Sequence, residues 1–313
     1  MGKRISPLDA AQQAIEHTRR GLFPFRLERW LLLGLVAFLD QCGRGGAAIP
    51  NLPGGRFPDS SGHGGDGAAA VMAWIGSHVG LAIALAAAAL CLVVVLTALM
   101  LWINSRGIFM YLEAVAAAPA EFGLRWREHA ERAQSLFAWR FGLAMAIFMA
   151  VILLGCAGGG AIFLHARDRL SGVATVILVA GLLLLLVAVI VVASIVSVVL
   201  RDFVVPLQWR LGLPCGEAAR RALALLRPEL GAVALYLLLK IGFAVILGVV
   251  ALFAGCLTCC CAFLPVVCQT ILQPLFFFER AWSLCLLRQL GVDVFQSGTP
   301  APEVHGGNDA LLA

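Results

Sequence analysis

Lys240 is the one charged residue between Leu230 and Phe278, inside the stretch LYLLLKIGFAVIL. A lysine in hydrocarbon is either a functional group or a long side chain reaching back to water. The run Leu230–Gly255 has 26 residues, about 39 Å of helix against a hydrocarbon core of about 30 Å. If its far end is fixed at Cys256, Lys240 sits about 6 Å inside the core, within reach of a snorkelling stem. If the helix is centred, Lys240 lies near midplane, where an ionised lysine costs about 2.5–3.5 kcal/mol on insertion scales. It then needs an acceptor, for which Asp202, Glu279 and Gln273 are the candidates. The snorkelling anchor is the simpler reading, and the buried pair stays open beside it. Gln269 and Gln273 stand four residues apart, followed by Pro274, which frees a backbone carbonyl one turn back. Such a set either coordinates a polar ligand or hydrogen-bonds neighbouring helices, and packing is the more economical expectation. Asp40 completes the intramembrane polar set, although it is expected near the face opposite Lys240.

Other reactive residue types carry less. CLTCCC, residues 256–261, puts Cys256, Cys259 and Cys260 on one helical face. Soft thiolates suit Cu(I) or zinc, but no histidine or second cysteine pair adjoins them, so packing at a turn is expected. A disulfide with Cys42 is the oxidising alternative, yet ten cysteines scattered among apolar runs form no disulfide framework. Asp59, His63 and Asp66 fall in a Gly/Pro-rich stretch and read as solvated loop. No P-loop, HExxH, GxSxG or nucleotide fingerprint is present. The expectation is therefore no catalytic residue, no metal and no cofactor: not an enzyme.

The elements that must position these residues are membrane spans. Of the 313 residues, 61% are hydrophobic and 13% charged, against about 25% charged in soluble domains. Five apolar runs are long enough to cross: 80–103, 141–164, 172–200, 230–255 and 257–278. A sixth, 27–42, offers only Trp30–Leu39 before Asp40, and charge counting decides for it. If it crosses, 18 Lys/Arg lie on one side and four on the other; if it does not, the split is 12 to 10. The positive-inside rule prefers six helices with both termini cytoplasmic. Asp40 and Arg44 then pair at i,i+4 beyond the first span. Residues 1–295 form one membrane domain, with a flexible extracytoplasmic loop at 43–79 and a disordered cytoplasmic tail at 296–313. Arginine outnumbers lysine 21 to 2, which reads as a GC-rich bacterial genome and hence a bacterial inner membrane. The first 29 residues are polar and basic, without a cleavable signal peptide. Net charge of +5 gathers at helix ends, which fits lipid headgroups and argues against nucleic acid.

Three amphipathic cytoplasmic segments precede alternate spans. In the first, Ser6 caps, Pro7 opens the helix, and Leu8, Ala11, Ile15, Thr18 and Leu22 make an apolar stripe. In the second, Phe122, Trp126, Ala130, Ala133 and Phe137 share a face. In the third, Ala218, Ala222 and Leu225 face one way and Arg220 and Arg221 another. Arg125, Arg127, Arg132, Arg220 and Arg221 form the basic cytoplasmic surface, as on interfacial helices. The returning helices end alike, in NSRGIFMYL, RDFVVPLQW and FFERAWSLCL, where Arg beside aromatics reads as an interface anchor. Three units are expected, starting near residues 7, 120 and 215. Gly155 and Gly159 form a GxxxG that favours close helix contact, within the chain or between copies of a homo-oligomer.

On these segments, LDAAQQAIEHTRRGLFPFRLERWLLLGLVAFL with SRGIFMYLEAV, RDFVVPLQW and ERAWSLCLLRQLG, the chain resembles an uncharacterised family of prokaryotic multi-pass membrane proteins. More distantly it is similar to the membrane domain fused to some glycerophosphoryl diester phosphodiesterases. The likeness spans roughly residues 8–295. It brings no catalytic residues, and these 313 residues hold no soluble phosphodiesterase domain. The expectation is an all-α polytopic protein with six transmembrane helices and three interfacial helices. It would be non-enzymatic, organising lipid or a protein partner at the cytoplasmic face, with a small-solute or lipid transporter as the alternative.

Overall fold

Ser6 Oγ accepts the Asp9 N–H at 3.2 Å and Pro7 occupies the first helical turn, so the polar start of the chain winds as helix α1, Pro7–Leu22. The computed structural model describes residues 5–41, 77–116, 129–167, 169–257 and 266–295. There follow α2 (Leu27–Gln41), α3 (Val79–Ala116), α4 (Ala130–Ala166) and α5 (Gly172–Val199). A π-helical turn, Leu200–Val204, joins α5 to α6 (Val205–Leu211), which ends at Gly212 in the left-handed conformation. Then come α7 (Cys215–Leu226), a 3-10 turn, α8 (Leu230–Leu257), α9 (Val267–Ile271) and α10 (Gln273–Gln289). No strand occurs among the described residues.

Four continuous helical stretches are long and apolar enough to cross a membrane: Val79–Ala116, Ala130–Ala166, Gly172–Leu211 and Cys215–Leu257. Their most apolar windows are almost wholly unburied by the rest of the chain, as expected of surfaces that lipid covers. The packed core lies at one end. There the polar continuations of the spans, 104–116, 200–211 and 273–289, meet α1, α2 and α7 around Phe109, Tyr111, Phe203, Tyr236 and Phe277.

The two ends of the chain close this core together. Trp282 Nε1 donates to Pro7 O at 2.9 Å, and the Ser6 N–H donates to Gln289 Oε1 at 2.9 Å. Small residues permit the closest approaches. A Cβ at Gly107 would stand 2.5 Å from the Leu39 carbonyl carbon, and one at Gly34 would meet the Thr270 side chain.

Two expected elements differ. On α1 the buried face is Pro7, Ala10, Ala14, Thr18 and Leu22. Of the expected apolar stripe, Thr18 and Leu22 join that buried face, whereas Leu8 and Ile15 are 58% and 60% exposed, because close packing selects the alanines and leaves the larger side chains outward. The last expected span, 257–278, is broken at Leu272, so α9 and α10 are separate helices; residues 258–265 lie outside the described residues. The third amphipathic helix is α7, with Cys215, Ala218, Ala222 and Leu226 buried. The second runs without interruption into α4 where described; Phe122 and Trp126 lie outside the described residues.

Candidate functional site

Six ionisable side chains, each at most 7% exposed, form one buried chain of alternating charge: Asp40, Arg201, Glu279, Lys240, Asp202 and Arg280. Arg201 holds Asp40 through Nη2 and, at 3.4 Å, through Nε. Its Nη1 donates to Glu279 Oε1 at 3.1 Å, and the same oxygen lies 3.3 Å from Lys240 Nζ. Lys240 also donates to Asp202 Oδ2, which accepts the Tyr236 hydroxyl at 3.0 Å. Arg280 Nη1 lies 3.9 Å from Asp202 Oδ1 and donates to the Arg201 carbonyl at 2.7 Å. Three cations face three anions, so the set is balanced. Isolated, each ion would cost several kcal/mol to remove from water; alternation offsets that with a neighbour of opposite sign.

Local structure explains how adjacent residues serve the same cluster. Arg201 and Asp202 sit in the π-helical turn, and both are buried. Consecutive residues of a regular helix point about 100° apart, and the widened turn keeps both facing the core. Glu279 and Arg280 follow the Leu272 break on α10, and Lys240 and Tyr236 stack one turn apart on α8. Around them Tyr236 meets Trp282 and Phe203 edge-on, with ring centroids at 5.2 and 5.6 Å. Tyr236 joins this aromatic group to the ion pairs through its hydroxyl on Asp202.

Lys240 is therefore not a snorkelling anchor. It is 7% exposed, and its partners are two of the acceptors expected for a buried lysine. Gln273 is not an acceptor for it: Gln273 Nε2 donates to the Tyr111 hydroxyl at 3.2 Å. Gln269 is buried on α9 and Gln273 is buried at the start of α10, with the break at Leu272 between them. Asp40 does not lie at the opposite face. Asn104 Nδ2 donates to Leu39 O at 2.9 Å and also to Asp40 O, which places Asp40 at the polar end of α3. There Arg201 holds Asp40; the expected partner Arg44 lies outside the described residues. Arg201 and Arg280, expected as interface anchors, are instead core residues. Arg106 does keep an aromatic contact, with Trp102 at 4.3 Å.

A cavity of about 410 Å³ adjoins the network between α3, α4 and α5. Asp40, Asn104, Arg140 and Arg201 line it, with the apolar Ile108, Leu136 and Val205 on one side of them and Ile147, Ile190 and Ala193 on the other. Asn104 Oδ1 accepts from Arg140 Nη1, so one amide ties α2, α3 and α4 together. Asn104, Tyr111, Arg140, Tyr236 and Arg280 were not among the expected site residues. The available signal was the similar position of NSR, RD and ER at the ends of three returning helices.

Of the basic surface, Arg220 and Arg221 are exposed and Arg132 is half-buried, its guanidinium near Gly212. Arg125 and Arg127 lie outside the described residues. A Cβ at Gly155 or Gly159 would meet nothing within 4 Å, so the GxxxG makes no close contact among the described residues. Cys256 is exposed, whereas Cys42 and Cys259–Cys261 are not described. Among the described residues no group of three or more His, Cys, Asp or Glu is placed to hold a metal ion.

No curated protein and no solved structure matches the chain. Residues 5–294 match one family model, so the chain belongs to the family of unknown function DUF7544, whose match takes in every helix of the ionic core.

Proposed function

We propose that the protein is a non-enzymatic membrane scaffold that organises anionic lipid at its basic end. One observation carries this reading. Helices α1 and α7 dock small-residue faces on the ionic core while Arg19, Arg20, Arg220 and Arg221 remain exposed at that same end. The exposed Leu8, Ile15 and Leu223 give these helices an apolar outer edge beside the arginines, the composition of a helix lying in the headgroup layer.

Six crossings with both termini cytoplasmic in a bacterial inner membrane belong to the same proposal. Helix α3 runs towards the ionic end and α8 runs away from it, while α1 and α10 both sit at that end. Chain continuity then needs two passages beyond the four long helices, and the positive-inside rule makes the arginine-rich end cytoplasmic. A reporter inserted after Gly64 tests this, and a cytoplasmic signal there would remove the six-crossing arrangement.

The functional test reverses Arg125, Arg127, Arg132, Arg220 and Arg221 to Glu and measures co-purifying anionic lipid. Each surface arginine contributes about 1 kcal/mol to anionic-lipid attraction, so losing five should weaken binding by about 5 kcal/mol, on the order of a thousandfold. Unchanged lipid retention would refute the reading, as would loss of an acidic protein with lipid unaffected. A transporter is the second reading, favoured by buried polar atoms without protein partners: both amide atoms of Gln208, Arg280 Nε and Nη2, and Oε1 of Gln269 and Gln273. Such atoms call for water in the core. Abolished flux in Lys240→Ala would support transport through this network, and unchanged flux would remove it.

A further inference from the structure

The chain of buried charges has one link that is not closed directly. Arg201 bonds Asp40 and Glu279, Lys240 lies 3.3 Å from Glu279, and Lys240 bonds Asp202. Arg280 and Asp202 stand further apart, with Nη1 3.9 Å from Oδ1, whereas a direct hydrogen bond needs about 2.7–3.2 Å. A second contact holds this separation. Arg280 Nη1 donates to the Arg201 carbonyl at 2.7 Å, and Arg201 precedes Asp202 in the π-helical turn. The guanidinium is therefore tied to the backbone beside the carboxylate and not to the carboxylate itself.

Both sides of the link carry polar atoms without a protein partner. Asp202 Oδ1 accepts no hydrogen bond, and Arg280 Nε and Nη2 donate none. Both residues are 0% exposed. An unpaired buried polar atom is costly, and most so on a charged group. The unmet demand is specific: donors on one side and an acceptor on the other. A guanidinium edge with free donors suits an oxyanion, but here a carboxylate oxygen already stands beside it. The six charges balance as three cations and three anions, so an added anion would face Asp202 unneutralised, and an added cation would face Arg280. A small neutral molecule that accepts from Arg280 and donates to Asp202 meets both demands. Water does so, and buried waters typically make about three hydrogen bonds of this kind.

We propose that a water molecule is bound between Arg280 and Asp202. Placed about 2.8 Å from each group, it bridges the 3.9 Å separation from one side. It accepts from the Arg280 guanidinium and donates one hydrogen to Asp202 Oδ1, whose companion oxygen serves Lys240 and Tyr236. The line of charges from Asp40 to Asp202 then closes, through water and Arg280, onto the backbone of Arg201. Helix α10 is joined to the π-helical turn by solvent as well as by a direct bond. The site follows from the pairing of the core alone and holds whether the chain gathers lipid or transports a solute.

The test is X-ray radiolytic labelling of the full chain in detergent micelles, read by mass spectrometry, because hydroxyl radicals formed in ordered water mark the side chains beside it. Tyr236 is 0% exposed and shares Asp202 with the proposed water; Phe109 is an equally buried ring of the apolar core. In wild type Tyr236 should be labelled several times faster than Phe109. Arg280→Met, which removes the donors at similar length, should bring Tyr236 down to the Phe109 level. Tyr236 at the Phe109 level in wild type would mean a dry site and overturn the proposal. Labelling of Tyr236 that Arg280→Met leaves unchanged would place the water elsewhere and overturn it too. Should Arg280→Met fail to fold, electron cryomicroscopy of wild type decides. A density peak within hydrogen-bond distance of both Arg280 and Asp202 Oδ1 supports the site, and direct contact of the two groups without one overturns it.

Discussion

Replacing Lys240 with methionine would remove one of the three cations that, among the described residues, face Asp40, Asp202 and Glu279. Lys240 touches Asp202 and lies 3.3 Å from Glu279, so both carboxylates lose a buried partner. Breaking a buried pair in this way costs about 3–5 kcal/mol. Asp202→Asn should cost a similar amount by leaving Lys240 and Arg280 short of an anion. The double variant restores balance, with two acids facing two bases, and should be more stable than the sum of the single losses implies. Coupling of at least about 1.5 kcal/mol is expected for charges this close. The assay is equilibrium unfolding in mixed micelles followed by tryptophan fluorescence, with Trp282 as a local reporter 5.2 Å from the Tyr236 ring. Added salt should change little, because buried pairs are weakly screened. If Lys240→Met lies within about 0.5 kcal/mol of wild type and the cycle is additive, the lysine is reaching solvent and the buried network is wrong.

Two further outcomes concern the packing around the core. His17 Nε2 lies 2.8 Å from Val115 O, and burial holds its pKa below the usual 6.5 despite that hydrogen bond. The folded state therefore binds fewer protons, so the His17 contribution is whole above pH 6.5 and declines as pH falls from there towards the lowered folded value. Unfolding midpoints between about pH 7 and 5 should fall less in His17→Gln than in wild type; parallel curves would count against the assignment. Gly107→Ala should cost about 1–3 kcal/mol by overpacking, since the added carbon meets Leu39 and Asp40 backbone. Gly181→Ala, with nothing within 4 Å, is the neutral control in the same thermal assay, and equal behaviour of the two would refute the close approach.

Four of the apolar spans and the N-terminal cap of α1 were legible because length, composition and Ser6-Pro7 act locally. The acceptors of Lys240 were legible too, since only a few anions interrupt the apolar chain. The orientation of α1 was not. Periodicity finds an apolar stripe, but in a membrane either lipid or protein can cover it, and close helix contact favours small residues over large ones. Ala10 and Ala14 thus turn inward while Leu8 and Ile15 face out. Arg201 and Arg280 were hidden for a related reason. An arginine beside aromatics suits an interface, and only the π turn and the convergence of three helix ends bring these two inside. Asp40 was misplaced because charge counting gives sidedness and says nothing of depth.

The clamp of α1 by α10 has a consequence for biogenesis. Synthesis makes Asp40 long before Arg201, Asp202 and Lys240, and Glu279 and Arg280 come last, on the helix that also seats α1. Until that helix emerges, the early charges have incomplete partners and the amphipathic first helix has no groove. The newborn chain must therefore wait in an open, partly solvated arrangement, and closure becomes a single late event joining its first and last helices. A stop codon placed before residue 273 would deprive the protein of its keystone and strand every earlier span in that waiting state.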